Sequence, residues 1–275
     1  MLDRFQLKFL MLLFMLLDHI GSFIPNTPIW LNYIGRVVAP VFFYLLIDGY
    51  FYTRDKNNYA RRLFIASSAM TIGNIILSML FPKDNQFLNL NDYITIIIFI
   101  LLLIANTYLL WKASSDNKNK ILLHGAVLVL VPILLSFICY NFIVIRNNIF
   151  LSMAFSIMLL NYIGDSRIYV FLIVFLSLFT EASFLGPAMI YIFYIYKNNK
   201  KRLILYYTAL SLLFAMGNIS YQGLFYENIQ WMMVFAIPFF YLYSGKKGRD
   251  LRYLFYFFYP IHIWILFIIG YFWGR

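Results

Sequence analysis

The stretch Leu7–Gly49 decides the fold and reads LKFLMLLFMLLDHIGSFIPNTPIWLNYIGRVVAPVFFYLLIDG. It consists of two long apolar runs joined by a short turn that contains two prolines. Four ionisable residues lie inside these runs: Asp18, His19, Arg36 and Asp48. Because charged groups are costly at membrane depth, those found there usually face a polar cavity and have partners. The pattern predicts two membrane-spanning helices that carry a functional site.

His19 and Arg36 are predicted to lie at the same depth. His19 is five residues before the expected end of the first helix at Ile24, and Arg36 is seven residues after the second helix begins near Ile29. At a rise of 1.5 Å per residue, these positions are roughly 8 and 10 Å below one membrane surface. We therefore expect an antiparallel pair of helices to hold an imidazole and a guanidinium in one polar pocket.

The composition is that of a membrane protein. Of the 275 residues, 63% are hydrophobic and 12% are charged, whereas soluble domains are about 45–50% apolar and about 25% charged. We predict an all-α fold, a polytopic transmembrane helical bundle that forms a single domain over residues 1–275. The only cysteine, Cys139, lies in an apolar run, so we expect neither a disulfide framework nor a metal site.

Apolar runs predict about 9–11 spans, because crossing the hydrocarbon takes about 17–25 residues. The two spans near 168–182 and 184–197 are short and could form a broken or re-entrant pair. The full set of predicted spans is 5–24, 29–52, 61–82, 92–112, 121–142, 148–163, 168–182, 184–197, 202–220, 229–244 and 252–273.

The basic residues predict the orientation. With a cytoplasmic N-terminus, 18 of the 22 Lys and Arg residues fall on the inner side, and only Lys83, Arg146 and Arg275 fall on the outer side. This asymmetry follows the positive-inside rule. It also explains the net charge of +11 by membrane topology, with membrane lipid and not nucleic acid as the partner. We predict a multi-pass protein of the cell membrane, in a bacterium the plasma membrane.

His19 is the first candidate catalytic residue. An imidazole can remove a proton from an amine or hydroxyl, or accept an acyl group itself; the alternative is a structural histidine bonded across helices. Asp18 points about 100° away on the same helix, so the partner of His19 should come from another span, unless Asp18 reaches it through water. Arg36 could bind an anion or stabilise an oxyanion, or form an ion pair with Asp18 or, less favourably by depth, Asp48.

Two further groups of residues complete the candidate site. His262 lies in FYFFYPIHIWILF, roughly 15 Å deep at 1.5 Å per residue, and Pro260 frees a backbone carbonyl beside it, as in helices that line a cavity. The basic inner loops could bind the phosphates of an anionic cofactor, although membrane topology and attraction to anionic lipid are the favoured explanation for them. The cofactor-binding candidates are Arg54, Arg61, Arg62, Lys246 and Lys247.

Six segments taken together resemble the TraX family, whose founding member N-acetylates the amino terminus of conjugative pilin. The resemblance covers most of the chain, with gaps around residues 83–146. Its most specific elements are DHIG, GR-x-x-x-P and YP-x-H, which are weak singly. The segments are LLDHIG (16–21), IGRVVAPVFFYLLIDGY (34–50) with TRDKNNYARRL after it, NNIFLSMAFSIML (147–159), 181–186, IPFFYLYSGKKG (237–248) and LFYFFYPIHI (254–263).

The resemblance implies an integral-membrane acyltransferase that uses acetyl-CoA. His19 would be the catalytic base, with Asp18, Arg36 and His262 around it, and the acceptor would be an extracytoplasmic amine or hydroxyl on a protein, glycan or lipid. A different hypothesis is a transporter or flippase for a small anionic or lipid-linked molecule, in which the same residues bind the cargo. A scaffold protein would leave two deep histidines and an arginine unexplained.

Overall fold

The computed structural model describes residues 1–82, 88–139, 142, 144–145, 147–217, 219–249 and 252–273. Helices account for 78% of the described residues, which contain no β-strand. The all-α prediction is therefore confirmed. In chain order the helices are α1 (Arg4–Phe23), α2 (Trp30–Gly35), α3 (Val38–Tyr52), α4 (Lys56–Leu80), α5 (Leu90–Lys112), α6 (Lys118–Ile138), α7 (Ile149–Tyr162), α8 (Arg167–Ser177), α9 (Leu185–Ile195), α10 (Lys200–Leu213), a π-helical turn (Gly223–Glu227), a 3-10 helix (Ile229–Ala236), α11 (Ile237–Leu242) and α12 (Arg252–Trp273).

Among the described residues, six helices are long and apolar enough to cross a membrane: α1, α2 continued by α3, α4, α5, α6 and α12. Shorter apolar helices are α7, α8, α9 and the 3-10 helix continued by α11. The chain is a multi-pass membrane protein. The number of crossings and the cytoplasmic N-terminus stay predictions. The outer-side residues Lys83, Arg146 and Arg275 lie outside the described residues, as do residues 140 and 141 of the predicted span 121–142.

Asparagine and aspartate side chains begin six of the α-helices. Asp3 starts α1 with a capping box, in which its carboxylate accepts from the Gln6 amide and the Gln6 side chain accepts from the Asp3 amide. Such caps satisfy backbone N–H groups that have no partner within the helix. The same type of residue precedes five further helices in the sequence. These Asn or Asp caps are Asp55, Asn89, Asn117, Asn148 and Asn199.

The described residues form two compact units. The first consists of Met1–Gly49 with Ala188–Arg275, and the second is Tyr50–Pro187. In the first unit, α1 packs against α2 and α12, and α10 packs against the 3-10 helix. The ring of Phe240 lies 4.7 Å from Tyr44 and 5.2 Å from Tyr207, so aromatic side chains fill the core of this unit. The predicted single domain stays a prediction.

In the second unit, α4 packs against α5, α6 and α7. Helix α7 is buried on all sides, with 12 of its 14 residues buried, as expected of a helix that is apolar all round. Polar side chains at its start are paired: Asn148 Nδ2 donates to the Ser67 carbonyl at 3.0 Å and to Thr71 Oγ1 at 2.9 Å. In hydrocarbon such pairing is needed, because water is absent.

Helices α8 and α9 are as short as the sequence predicted. Each has 11 residues, which span about 16 Å, or half of the hydrocarbon thickness. Between them, Ser183 has a φ of 45°, in the left-handed region that side chains seldom adopt. That the two form a re-entrant pair stays a prediction.

Candidate active site

His19 lies on the face of α1 that packs against α12. The residue is 6% exposed, and its Nδ1 lies 2.7 Å from Nε2 of His262. The prediction that the partner of His19 comes from another span is confirmed. Two histidines that the sequence separates by 243 positions therefore form one buried pair.

Local features of α12 hold the second imidazole in place. Nδ1 of His262 lies 2.6 Å from the carbonyl oxygen of Phe258, one turn earlier. The Phe258 ring stacks on the imidazole, with centroids 4.7 Å apart and planes 22° apart. Gly270 brings the two helices together, because a Cβ at this position would lie less than 3.0 Å from the Phe23 carbonyl oxygen.

Asp18 faces a different neighbour from His19 and forms an ion pair with Arg36. Nη2 of Arg36 donates to both carboxylate oxygens, at 2.9 and 3.1 Å. The side chains are 26% and 14% exposed for Arg36 and Asp18. Asn32 donates to Asp18 Oδ1 at 3.1 Å, and Gln230 accepts from Arg36 Nη1 at 3.3 Å. The pair is thus embedded in a polar network.

The ion pair is the first of the two pairings considered for Arg36 from the sequence. The second possibility does not occur, because Asp48 accepts hydrogen bonds from Arg4 and from Tyr243, the latter at 2.6 Å. Asp48 therefore anchors the start of α1 and takes no part in the site near Arg36.

Glycines explain how the carboxylate of Asp18 reaches the neighbouring helix. A Cβ on Gly35 would lie well inside 3.0 Å of the Asp18 side chain, and one on Gly21 would lie 3.0 Å from Asn32 and Leu31. Small residues permit close approach of membrane helices. The two glycines therefore let α1 and α2 come close enough for the ion pair to form.

Pro40 explains why Arg36 lies at a break between α2 and α3. Proline has no N–H, so it cannot bond to the carbonyl of the residue four positions earlier, which is Arg36. The Arg36 amide itself bonds to the Tyr33 carbonyl at 3.2 Å. Its Nε donates to the Asn32 carbonyl at 3.1 Å. At this break the guanidinium of Arg36 is directed towards Asp18, and the Asn32 carbonyl holds its Nε.

His19 and Arg36 do not contact each other directly, since they belong to the two separate pairs just described. That one polar pocket holds both side chains stays a prediction. An open pocket of about 420 Å³ lies at the C-terminal end of α1, lined by residues 21–27 and Gly270. Phe23 lines this pocket, and its ring centroid lies 6.1 Å from that of His19. Phe23 is therefore shared between the lining of the pocket and the surroundings of His19.

Comparison with protein families gives one match. The family described as TraX protein matches residues 3–145, which is more than half of the chain. The chain belongs to the TraX family. Comparison with curated proteins and with solved structures finds no match.

The part that matches TraX holds three of the four predicted catalytic residues. Asp18, His19 and Arg36 lie within residues 3–145, whereas His262 lies beyond them. The TraX membership predicted from the sequence is confirmed. The extent of the match differs from the prediction, because it includes residues 83–145, where gaps were expected, and does not reach the four segments expected between residues 147 and 263. Roles for the four residues stay predictions, although the structure joins them into two contacting pairs, each with one member on α1.

The basic cofactor-binding candidates fall in both units. In the second unit, Arg54 and Arg62 are exposed, whereas Arg61 donates to the carbonyl of Ala113 at the end of α5 and to Asn58 Oδ1 at 2.9 Å. Arg61 is therefore held by its own unit. In the first unit, both lysines of the loop after α11 are exposed. These lysines are Lys246 and Lys247. Phosphate binding by the group stays a prediction.

Three groups of the site were missed in the sequence: Asn32, Gln230 and the carbonyl of Phe258. A signal existed for Asn32, because an amide four residues before an intramembrane arginine lies on the same helix face. Gln230 could not be placed, because the irregular segment that carries it reads as an ordinary apolar run. A backbone carbonyl gives no sequence signal at all.

Proposed function

We propose that this TraX protein is an integral-membrane acyltransferase that moves an acetyl group from acetyl-CoA to an amine or hydroxyl of an extracytoplasmic acceptor. The observation that carries the proposal is a histidine pair buried within the helices, in which His19 has a ring contact with Phe23, a residue that also lines an open pocket. Burying two imidazoles in an apolar environment is costly unless they are hydrogen-bonded, and ionisable residues kept within a membrane usually have a function.

His19 acts as the general base in this proposal. It takes the proton of the acceptor amine or hydroxyl while that atom attacks the thioester carbonyl of acetyl-CoA. General base catalysis of this kind contributes about 10²–10⁴-fold to a rate. A variant in which His19 itself carries the acetyl group for part of the cycle is chemically equivalent in its requirement for His19.

The acceptor enters through the pocket at the end of α1 in this proposal, and Phe23 moves aside to admit it. Acetyl-CoA approaches from the cytoplasm, where exposed basic residues hold its phosphates. The candidates for this are proposed separately for each unit: Lys246 and Lys247 in the first, and Arg54 and Arg62 in the second, together with Arg61 if its contacts at the end of α5 are released. The protein would lie in a bacterial plasma membrane with its N-terminus inside.

The proposal is tested with the purified full-length chain in lipid nanodiscs and radiolabelled acetyl-CoA. The acceptor probes are a short peptide with a free amino terminus and a simple glycoside. We expect acetyl transfer to one of them and a loss of about 10²-fold or more in His19→Ala. The matched control is His124→Ala, because His124 lies in the second unit and bonds to Asn106 at 2.7 Å.

Two results would refute the proposal. One is a His19→Ala protein that transfers acetyl groups at the full rate. The other is a protein that neither binds acetyl-CoA nor releases CoA from it, which would favour the transporter hypothesis, because a transporter need not bind an acyl donor. Where acetyl transfer is found, mass spectrometry of exported peptides and envelope glycans from cells with and without the protein identifies the acceptor, which lacks an acetyl group in cells without the protein.

A further inference from the structure

The Phe258 carbonyl, His262 and His19 form a chain of two hydrogen bonds at the α1–α12 interface. The carbonyl oxygen of Phe258 lies 2.6 Å from Nδ1 of His262, and Nε2 of the same ring lies 2.7 Å from Nδ1 of His19. Both contacts have hydrogen-bond length. The direction of donation along this chain is fixed, because a carbonyl oxygen can only accept a hydrogen bond.

The direction of donation determines which ring nitrogen of each histidine carries a hydrogen. Since the Phe258 carbonyl accepts, Nδ1 of His262 carries a hydrogen and donates it. In an uncharged imidazole only one nitrogen carries a hydrogen, so Nε2 of His262 is an acceptor. Its partner, Nδ1 of His19, must then be the donor. One atom is left with a free lone pair, and it is Nε2 of His19.

We propose that His262 is a positioning and proton-relay residue which fixes the Nδ1–H form of His19 and leaves His19 Nε2 as the atom that reacts. The proposal rests on the proposed acyltransferase function for its last step, but its assignment of protons does not depend on that function. Histidines that ligate metals are oriented in the same way, by a hydrogen bond to the other ring nitrogen.

The proton and bond changes balance. The acceptor nitrogen or oxygen forms a bond to the thioester carbonyl carbon and gives its proton to His19 Nε2, while the Nδ1 proton of His19 passes to Nε2 of His262. When the tetrahedral intermediate collapses, the C–S bond breaks. The thiolate of CoA takes the proton from His19 Nε2, and His262 returns its proton to His19 Nδ1. The products are the acylated acceptor and CoA thiol.

The surroundings favour a relay that never builds up two positive charges. The titratable or charged groups near the pair are Asp18 and Arg36, which are bonded to each other, and Tyr259, whose ring centroid lies 6.2 Å from that of His19. No carboxylate is bonded to either imidazole among the described residues. The positive charge gained in the reaction is therefore shared between two rings and not neutralised by an anion.

The proton assignment can be measured without any substrate. The chain has only three histidines, so [¹⁵N]histidine labelling of the full-length protein in micelles gives three imidazoles, assigned by single substitutions. We expect protonated Nδ1 and unprotonated Nε2 for both His19 and His262. Protonated Nε2 on His19 in the wild-type protein would overturn the proposal, whether or not acetyl transfer is found.

Variants at position 262 test the relay. Gln Oε1 can occupy the place of His262 Nε2 and accept from His19, but it cannot take up a proton. Leucine can do neither. We expect His19 to keep its Nδ1–H form in His262→Gln and to lose it in His262→Leu, while His124→Gln leaves it unchanged.

Acetyl transfer should follow the same order. We expect His262→Leu to lose about 10²-fold or more and His262→Gln to lose roughly tenfold, within the range of acid–base catalysis. Equal rates in the two variants would overturn the positioning role of His262, and a wild-type rate in His262→Gln would overturn the relay. If the proton forms are as expected but no variant and no wild-type preparation transfers acetyl groups, the acyltransferase function fails and the assignment of protons stands.

Discussion

The substitution Gly35→Ala tests the contact that holds α1 and α2 together. The added Cβ would lie well inside 3.0 Å of the side-chain carbon atoms and Oδ1 of Asp18. Two of these atoms are near the backbone of α1, so a change of rotamer alone cannot relieve the overlap. Either the helices separate, or Asp18 leaves Arg36. Both outcomes weaken the same interface.

The expected cost is about 3 kcal/mol. Overpacking a tight contact costs about 1–3 kcal/mol. Separating a buried ion pair costs about 3–5 kcal/mol, which we reduce to about 1–2 kcal/mol because Arg36 is 26% exposed. Alanine in place of glycine returns up to about 1 kcal/mol through helix propensity. At about 2–4 °C per kcal/mol for a chain near this size, the melting temperature should fall by roughly 6–12 °C.

The assay is thermal unfolding of the purified protein in one detergent, with Gly217→Ala as the matched control. A Cβ at Gly217 meets nothing within 4 Å, so the control should melt within about 2 °C of the wild type. A double substitution, Asp18→Gly with Gly35→Ala, removes the overlapping atoms. Its loss should be smaller than the sum of the two single losses. Equal melting temperatures for Gly35→Ala and Gly217→Ala would refute the tight contact between α1 and α2.

Two further predictions compare a buried group with an exposed one. Asp18→Asn should lower the free energy of unfolding by about 2 kcal/mol, because it leaves Arg36 without its anion in a half-buried site. Asp165→Asn should lower it by less than about 1 kcal/mol, because the Asp165 side chain is 58% exposed. Thermal unfolding in the same detergent checks both. Asn148→Ala removes a helix cap together with buried hydrogen bonds to α4 and should cost about 2–3 kcal/mol, whereas Asn199→Ala removes only an exposed cap and should cost about 1 kcal/mol. Equal losses within either pair would show that burial does not set the cost.

The ion pair of Arg36 with Asp18 could be predicted from the sequence as one of two alternatives, because it joins two neighbouring helices connected by a short turn; the depth of the site in the membrane stays a prediction. The rise per residue placed His19 and Arg36 in one layer, and the i to i+1 angle indicated that Asp18 would not be the partner of His19. The alternative ion pair of Arg36 with Asp18 also followed from depth. Each of these inferences uses the geometry of one helix or of two neighbours joined by a short turn.

The identity of the partner of His19 could not be predicted, because it depends on how α1 meets a helix more than 200 residues later. The apolar pattern of a membrane helix does not fix its rotation, since lipid-facing and buried residues are equally hydrophobic. Gly270 lies on the contact face of α12, but glycine is frequent in membrane helices and does not by itself mark a contact. The histidine pair therefore required coordinates.

The hydrogen bonds of Arg36 argue against a direct role in stabilising an oxyanion. A guanidinium has five N–H donors, and three are directed at partners: Nε–H at the Asn32 carbonyl, one N–H of Nη2 shared between both oxygens of Asp18, and one N–H of Nη1 at Gln230. Two N–H groups at most are left for a reacting group, and the charge is already balanced by a carboxylate. The ion pair instead fixes α2 against α1 at the level of His19.

A structural role for Arg36 changes what an arginine variant should do. If the guanidinium only supports α1, Arg36→Lys in the presence of Asp18 should lower stability and acetyl transfer together, because lysine cannot make the forked contact. If the guanidinium bound the reacting oxyanion, the rate would fall by far more than the stability. Helix α1 has a structural role through Asp18 and a proposed catalytic role through His19. Variants can test the two roles separately, because adjacent residues on a helix point about 100° apart.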